Sequence, residues 1–268
     1  MISFDKENHL SIRKKEKANT CAQGHGFEIF DYPEALEINR ARQEHLASLG
    51  LDLVRKRVLE VGSGVGWHTG FFEKLGCTII STDARPENVA EHLRRYPYRK
   101  GRVEVADLNI LGSHTKFGKF DIVYCYGTLY HLSNPDLCIR DLADSCEGTF
   151  LLETLVNSVD NNEMNKVAED SSGKNQSFDG IGCRPARNWI MSELKKYYSY
   201  VYVTRSQPNN PEFPTDWSAA PDPAKNYREV FVAAKKDLRL SSLSKDLMMM
   251  QLKLPDLLEN PEPISERS

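Results

Sequence analysis

The sequence has no run of about 18 apolar residues, so nothing in it reads as a membrane span. It also has no CxxC pair. Its six cysteines, Cys21, Cys77, Cys125, Cys138, Cys146 and Cys183, are scattered. That spacing argues against zinc or a disulfide framework and for reduced thiols, and no metal ligand set is expected. Charge of one sign is missing too: a net charge of −3 gives no global pull toward nucleic acid or an anionic membrane. The opening residues, MISFDKENHLSIRKKEKANT, lack the apolar core of a signal peptide. A cytoplasmic protein is the expectation from these absences. With 268 residues, 40% of them hydrophobic, the chain is long enough to bury one domain core.

What is present is an alternation of short apolar runs with longer amphipathic ones. Strands are predicted at 57–61, 77–83, 102–108, 120–127 and 149–156, with helices after the first, second and fourth, at 86–96 and 135–145 in the latter two cases. Nearly continuous apolar strands separated by helices imply a parallel sheet covered on both faces. The polar stretch 157–180 is expected to be an inserted lid loop, followed by a helix over 184–198. Two late strands, 200–207 and 228–236, are expected to close the sheet, the last antiparallel. The fold class is therefore α/β: a doubly wound, mostly parallel, seven-stranded sheet. Residues 1–39 read as a polar lead-in, 40–236 as the domain, and 237–268 as a tail with a disordered Pro/Glu/Ser end.

The chemistry centres on VLEVGSGVGWHTG, Val58 to Gly70. A dinucleotide turn needs G-x-G-x-x-G, but here Trp67 stands where the third glycine belongs. A phosphate-cradling P-loop needs a lysine after the turn, and there is none. What remains is Glu60, on the strand two residues before Gly62, where a carboxylate suits an ammonium-bearing ligand. S-adenosylmethionine (SAM) has an ammonium, a sulfonium and no phosphate.

E-V-G-S-G-V-G resembles the first motif of the class I SAM-dependent methyltransferases, and further landmarks follow in order. The resemblance implies that Gly62, Ser63 and Gly64 cradle the cofactor. It also implies that Asp83, with Ala84 beside it, takes the ribose hydroxyls, and that Asp107 and Leu108 meet the adenine. FDIVYCYGTLYHL (120–132) resembles the fourth motif, which lines the transfer site. A tighter similarity joins GVGWHTG, YGTLYHLSNP and GTFLLETLV to the tRNA wobble 5-hydroxyuridine carboxymethyltransferases, which use carboxy-SAM. In that family the tyrosine matching Tyr130 contacts the extra carboxylate, and the residue matching Tyr126 lines the cofactor. The chain departs from it, however. It lacks that family's N-terminal domain, the lysine ahead of the first motif and the late arginine, with Thr215 and Asp216 before Trp217 instead. Without those cations an extra carboxylate would be poorly paired, so ordinary SAM is the expected cofactor. Residues 180–217 also resemble methyltransferases linked to surface-glycan and small-metabolite pathways.

Methyl transfer leaves the protein mainly positioning and, for a hydroxyl acceptor, a base. His131, on the loop after the fourth strand, is the candidate base, with Tyr130 beside it at the transfer site; the bland alternative for His131 is shaping its loop. His68 is read as facing the methionine end of SAM or as a helix-surface residue. Glu153 is read as orienting a substrate hydroxyl or satisfying a backbone amide. Arg184 and Arg187 are read as gripping an acceptor anion or pairing with the acidic insertion. The basic run 94–102 reads as a solvated helix end. The expected reaction is O-methylation of a saccharide or other small metabolite, by a monomer or homodimer. tRNA modification, N-methylation and a catalytically silent SAM-binding protein remain alternatives.

Overall fold

A computed structural model describes residues 26–157, 162–219, 222 and 225–254. Five parallel strands form its centre: β1 Arg57–Val61, β2 Thr78–Asp83, β3 Val103–Val105, β4 Phe120–Tyr126 and β5 Cys146–Leu155. Side chains alternate along these strands, and each face acquires its own core. Leu59, Val61, Val123, Phe150 and Leu152 pack on one face, while Val58, Ile79, Ile122, Tyr124 and Leu151 pack on the other. The first core is covered by helices α4 Pro135–Ser145 and α5 Arg187–Lys195, through Ile139, Leu142, Ile190 and Leu194. The second is covered by α1 Pro33–Ser48 and α2 Thr69–Lys74, through Leu46 and Phe72. Helix α3, Pro86–Arg95, completes the alternation. Helices α1, α3 and α4 all begin on proline, whose fixed φ and missing N–H suit a first turn.

Strands β6 Met164–Ala168 and β7 Ile181–Pro185 form a separate antiparallel hairpin, whereas β8 Tyr200–Thr204 and β10 Arg228–Ala234 join the main sheet. Short β9 Ser206–Gln207 and β12 Leu252–Lys253 pair in parallel, and β11 Leu243–Ser244 edges the main sheet. The sheet order is β11-β8-β10-β5-β4-β1-β2-β3, with β10 antiparallel to both neighbours. Strand order reverses between β1 and β4, the switch point at which such sheets bind ligands.

Five expectations change. The sheet has eight strands rather than seven, because two residues of the tail pair with β8. The inserted lid is not a plain loop: Met164–Ala168 pairs with Ile181–Pro185. That pairing takes the start of the helix expected from 184, since Arg184 precedes a proline and is biased toward extended backbone. Helix α5 therefore begins at Arg187. Residues 33–39 of the lead-in are not separate either, as α1 runs through residue 40 and packs on the sheet. Of the tail, 237–254 straps across the domain, with Ser242 Oγ donating to Leu49 O at 2.6 Å and Gln251 Nε2 to Thr204 O at 2.6 Å. The expected disordered end and Cys21 lie outside the described residues. Among those residues, no helix is long and apolar enough to cross a membrane.

Arg187 pins this strap. Its Nε and Nη2 donate to the two oxygens of Glu229 at 2.6 and 2.7 Å, and Nη2 also reaches Met248 O at 2.9 Å. Its guanidinium lies 4.0 Å from the Trp217 ring centre. Removing one partner of a buried pair strands the other charge. Arg187→Ala is expected to lower the unfolding free energy by about 3–5 kcal/mol in urea melts. The double change Arg187→Met with Glu229→Leu should recover most of that loss.

Candidate active site

At the carboxyl end of β1 the chain must turn within contact of the loop after β4. Gly62, at φ 64°, makes this turn, and a Cβ there would lie 2.1 Å from Thr128 Oγ1. Only glycine fits, on both steric and conformational grounds. The turn is held from β2, with Ser63 N–H donating to Thr82 O and Gly64 N–H to Asp83 Oδ2, both at 2.9 Å. Asp83 Oδ1 accepts from Arg85 N–H at 2.9 Å and from Asn88 Nδ2 at 3.1 Å. Burial pushes the Asp83 carboxyl above its usual range, against the pull of those donors.

A cavity of about 570 Å³ opens over this edge. Gly62, Ser63, Gly64, His68, Asp83 and Ala84 line one side of it. Asp107, Leu108, Tyr126, Tyr130 and His131 line it as well, so eleven of the expected site residues share one cavity. Asp83 ends β2 and Asp107 follows β3, two acids along the edge of the glycine turn. Apolar Phe30, Leu108 and Phe178 stand among the walls, and Phe30 comes so near the turn that a Cβ at Gly64 would lie 2.9 Å from its ring. A ligand with a flat apolar ring, vicinal hydroxyls and a polar tail fits this donor and acceptor set.

His68 is fixed. Asn39 Oδ1 must accept from Arg42 Nη1, at 3.0 Å, so His68 Nε2–H also donates to that oxygen, at 2.9 Å. Tyr124 OH then donates to Nδ1 at 2.9 Å. Burial, with Arg42 nearby, drives the His68 pKa down to about 3, so the ring is neutral. His131 has a different setting. Its Nδ1 lies 2.5 Å from Glu169 Oε2, and its ring lies 4.0 Å, centre to centre, from that of Tyr130, tilted by 46°.

Four expected residues stand outside the cavity lining. Glu60 is turned away from it, because strand alternation puts it on the Val58 face, toward α2. Its Oε2 accepts from Thr69 Oγ1 at 2.5 Å and Ser81 Oγ at 2.7 Å, so it braces the turn from below. Glu153 is wholly buried and compensates two arginines, with Oε2 2.6 Å from Arg42 Nη2 and Oε1 accepting from Arg228 Nη1 at 3.1 Å. Arg187 serves the strap. Arg184 donates to Cys183 O at 2.8 Å and Tyr130 O at 3.3 Å, and lies 3.4 Å from Glu169 Oε1. The run 94–102 is more than a solvated end: Arg99 is buried and donates to Glu73 and to Gly66 O.

Other lining residues had no local signal. Asn39 and Arg42 arrive on α1, Lys174 and Phe178 on the inserted hairpin, and Glu212 and Arg228 from the far end of the chain. The cavity therefore contains cations that the motifs alone did not reveal. They are compensated, however: Arg228 Nε donates to Glu212 Oε2 at 2.5 Å, in addition to the shared Glu153.

The switch-point cavity, the glycine turn and the two edge acids define a doubly wound domain of the nucleoside-cofactor class. The sequence model described as a methyltransferase domain matches residues 34–188, more than half of the chain. The protein belongs to that family, the class I SAM-dependent methyltransferases. Among solved structures, the N-terminal domain of EvdMO1 with SAH bound is similar, with a TM-score of 0.55 and 21% identity over 75% of this chain and 81% of that one. The same domain in the presence of SAH and D-fucose gives 0.56 and 20%, over 88% and 100%. Against a longer EvdMO1 chain, at a TM-score of 0.49 and 21% identity, 75% of this chain spans 41% of that one. These likenesses concern the fold. No curated protein sequence matches the chain.

Glu60 gives a pH signature. Burial lifts its pKa from 4.5 to about 7, so the folded state holds a proton that the unfolded state releases between those values. That contribution to stability is full below the unfolded pKa and is lost as pH rises through about 7. Thermal melts between about pH 5 and about pH 8 should therefore show a smaller stability loss in Glu60→Gln than in wild type. Equal losses in the two proteins would refute this.

Proposed function

We propose that the enzyme uses ordinary SAM to methylate a hydroxyl of a saccharide or another small polar metabolite. When bound, SAM supplies a methyl group on a positive sulfur, whose leaving group is a neutral thioether. The chain has to hold that donor, orient the acceptor and remove a proton. The glycine turn, Asp83 and Asp107 form the donor side. Ordinary SAM suits the cavity because Arg42 and Arg228 already face Glu153 and Glu212, so neither of these two cations is left to pair with an extra carboxylate.

The observation that carries the O-methylation reading is His131 against Glu169 at the cavity wall. With Nδ1 occupied by a carboxylate, Nε2 is the nitrogen left for a substrate proton. Burial keeps the His131 pKa below its usual value, so the ring is neutral, the form a general base needs, at neutral pH. Around it, Tyr130, Arg228, Glu212 and Asn210 give the wall donors and acceptors of the kind a polyhydroxylated acceptor pairs with. The presence of D-fucose with the EvdMO1 domain supports the same acceptor class. An amine acceptor would not need His131, and a tRNA acceptor would bind with a steep salt dependence.

Calorimetry is expected to show binding of SAM and S-adenosylhomocysteine that Asp83→Ala removes; no binding at millimolar ligand would end the cofactor assignment. In a turnover screen of hydroxylated sugars, His131→Ala should lower kcat by about 10²-fold or more, with cofactor affinity nearly intact. An unchanged rate would reduce His131 to a structural residue.

A further inference from the structure

We infer that Glu169, on the inserted hairpin, is the positioning residue that fixes the tautomer of His131, making the hairpin part of the catalytic site. This rests on the reading of His131 as base.

The geometry begins at the end of β6, where Glu169 N–H donates to Gly180 O at 2.9 Å and closes the hairpin. The Glu169 side chain is only 5% exposed and crosses over Gly182. A Cβ at Gly182 would lie 2.4 Å from Glu169 Oε1 and 2.5 Å from Tyr130 O, so the carboxylate passes only because that position is glycine. Once there, Oε2 accepts from Ser177 N–H at 2.8 Å and meets His131 Nδ1 at 2.5 Å, while Oε1 is 3.4 Å from Arg184 Nη1.

An ionised carboxylate accepts and never donates, so the proton between Glu169 and His131 belongs to Nδ1. The neutral ring then carries its lone pair on Nε2. Burial works against the Glu169 charge, but His131, Ser177 and Arg184 hold its carboxyl below the usual range, in the ionised form. Around His131, burial lowers the pKa, Glu169 raises it in part, and Arg228 and Arg184 lower it; the Tyr130 ring lies tilted beside it. Among these neighbours, Glu169 is the one that sustains basicity.

The test needs no acceptor. In full-length protein labelled with ¹⁵N-histidine, with the His131 signals assigned by their loss in His131→Gln, the neutral imidazole should show Nδ1 protonated and Nε2 bare. Glu169→Gln should lower the His131 pKa by about one unit or more. With an acceptor in hand, the acid limb of kcat should move to lower pH while the KM for SAM stays put. An Nε2-protonated wild-type ring overturns the inference, as does a folded Glu169→Gln with the wild-type titration. The wild-type tautomer decides the matter even if that variant does not fold. A rate unaffected by His131→Ala would instead remove the base reading and leave the tautomer result standing.

Discussion

A buried carboxylate at the end of β5 organises one whole side of the cavity. Glu153 has no solvent exposure, and a charge in that position is tolerable only if it is paired. The compensation comes from far along the chain: Arg42 on α1 and Arg228 on β10, the antiparallel neighbour of β5. Arg42 approaches as an ion pair at 2.6 Å without hydrogen-bond alignment, whereas Arg228 makes an aligned bond. Each arginine then orders its own neighbours. Arg42 fixes Asn39 and through it His68, while Arg228 reaches Glu212 and donates to Tyr130 OH at 3.2 Å. Electroneutrality around one acid thus brings the first helix and the last long strand to the same wall.

The central sheet was legible because its signals are local. Helix α4 matches its predicted bounds, with Pro135 at its first turn and apolar residues at helical spacing facing the sheet. Strand β5 starts three residues early for a reason that lies elsewhere. Residue 148 sits where a Cβ would be 2.3 Å from Asp121 O, beside a register shift opposite Phe120, so a glycine that reads as a strand breaker allows a close crossing. The inserted hairpin was illegible because neither of its strands is apolar or alternating. They exist through pairing with each other and through side chains, such as Arg85, that collect their loop.

The site divides along the same line. Motif spacing located the glycine turn and Asp83, since both belong to a strand–turn–helix unit. Glu60, expected to face the cofactor, points to the opposite face and bonds Thr69 and Ser81, which the alternation of Val58, Leu59 and Val61 already implies. Because two cations open a helix, which the dipole disfavours, the sequence points Arg187 at an acceptor anion or at the acidic insertion. The missing anion is Glu229, supplied by β10, and a pairing across such a sequence distance leaves no mark in either segment.

Arg85 joins the two halves of the site. Its backbone N–H holds Asp83, and its guanidinium donates to Ser171 O, Gln176 O and Ser177 O at 2.9, 3.3 and 3.0 Å. Ser177 N–H in turn holds Glu169 against His131. A second tie runs beside it, from Asn88 to both Asp83 and Lys174 O. In-line displacement demands that nucleophile, carbon and leaving sulfur align, and small misplacements are costly. Here Asp83 at the glycine turn and His131 across the cavity are referenced to the same short segment, residues 83–88. The polar insertion is tied to that segment and also to the sheet, with Asn157 N–H after β5 donating to Pro185 O at 2.8 Å and Cys183 Sγ to Leu129 O after β4 at 3.3 Å, so it is set in register with the glycine-turn edge and the strand ends together.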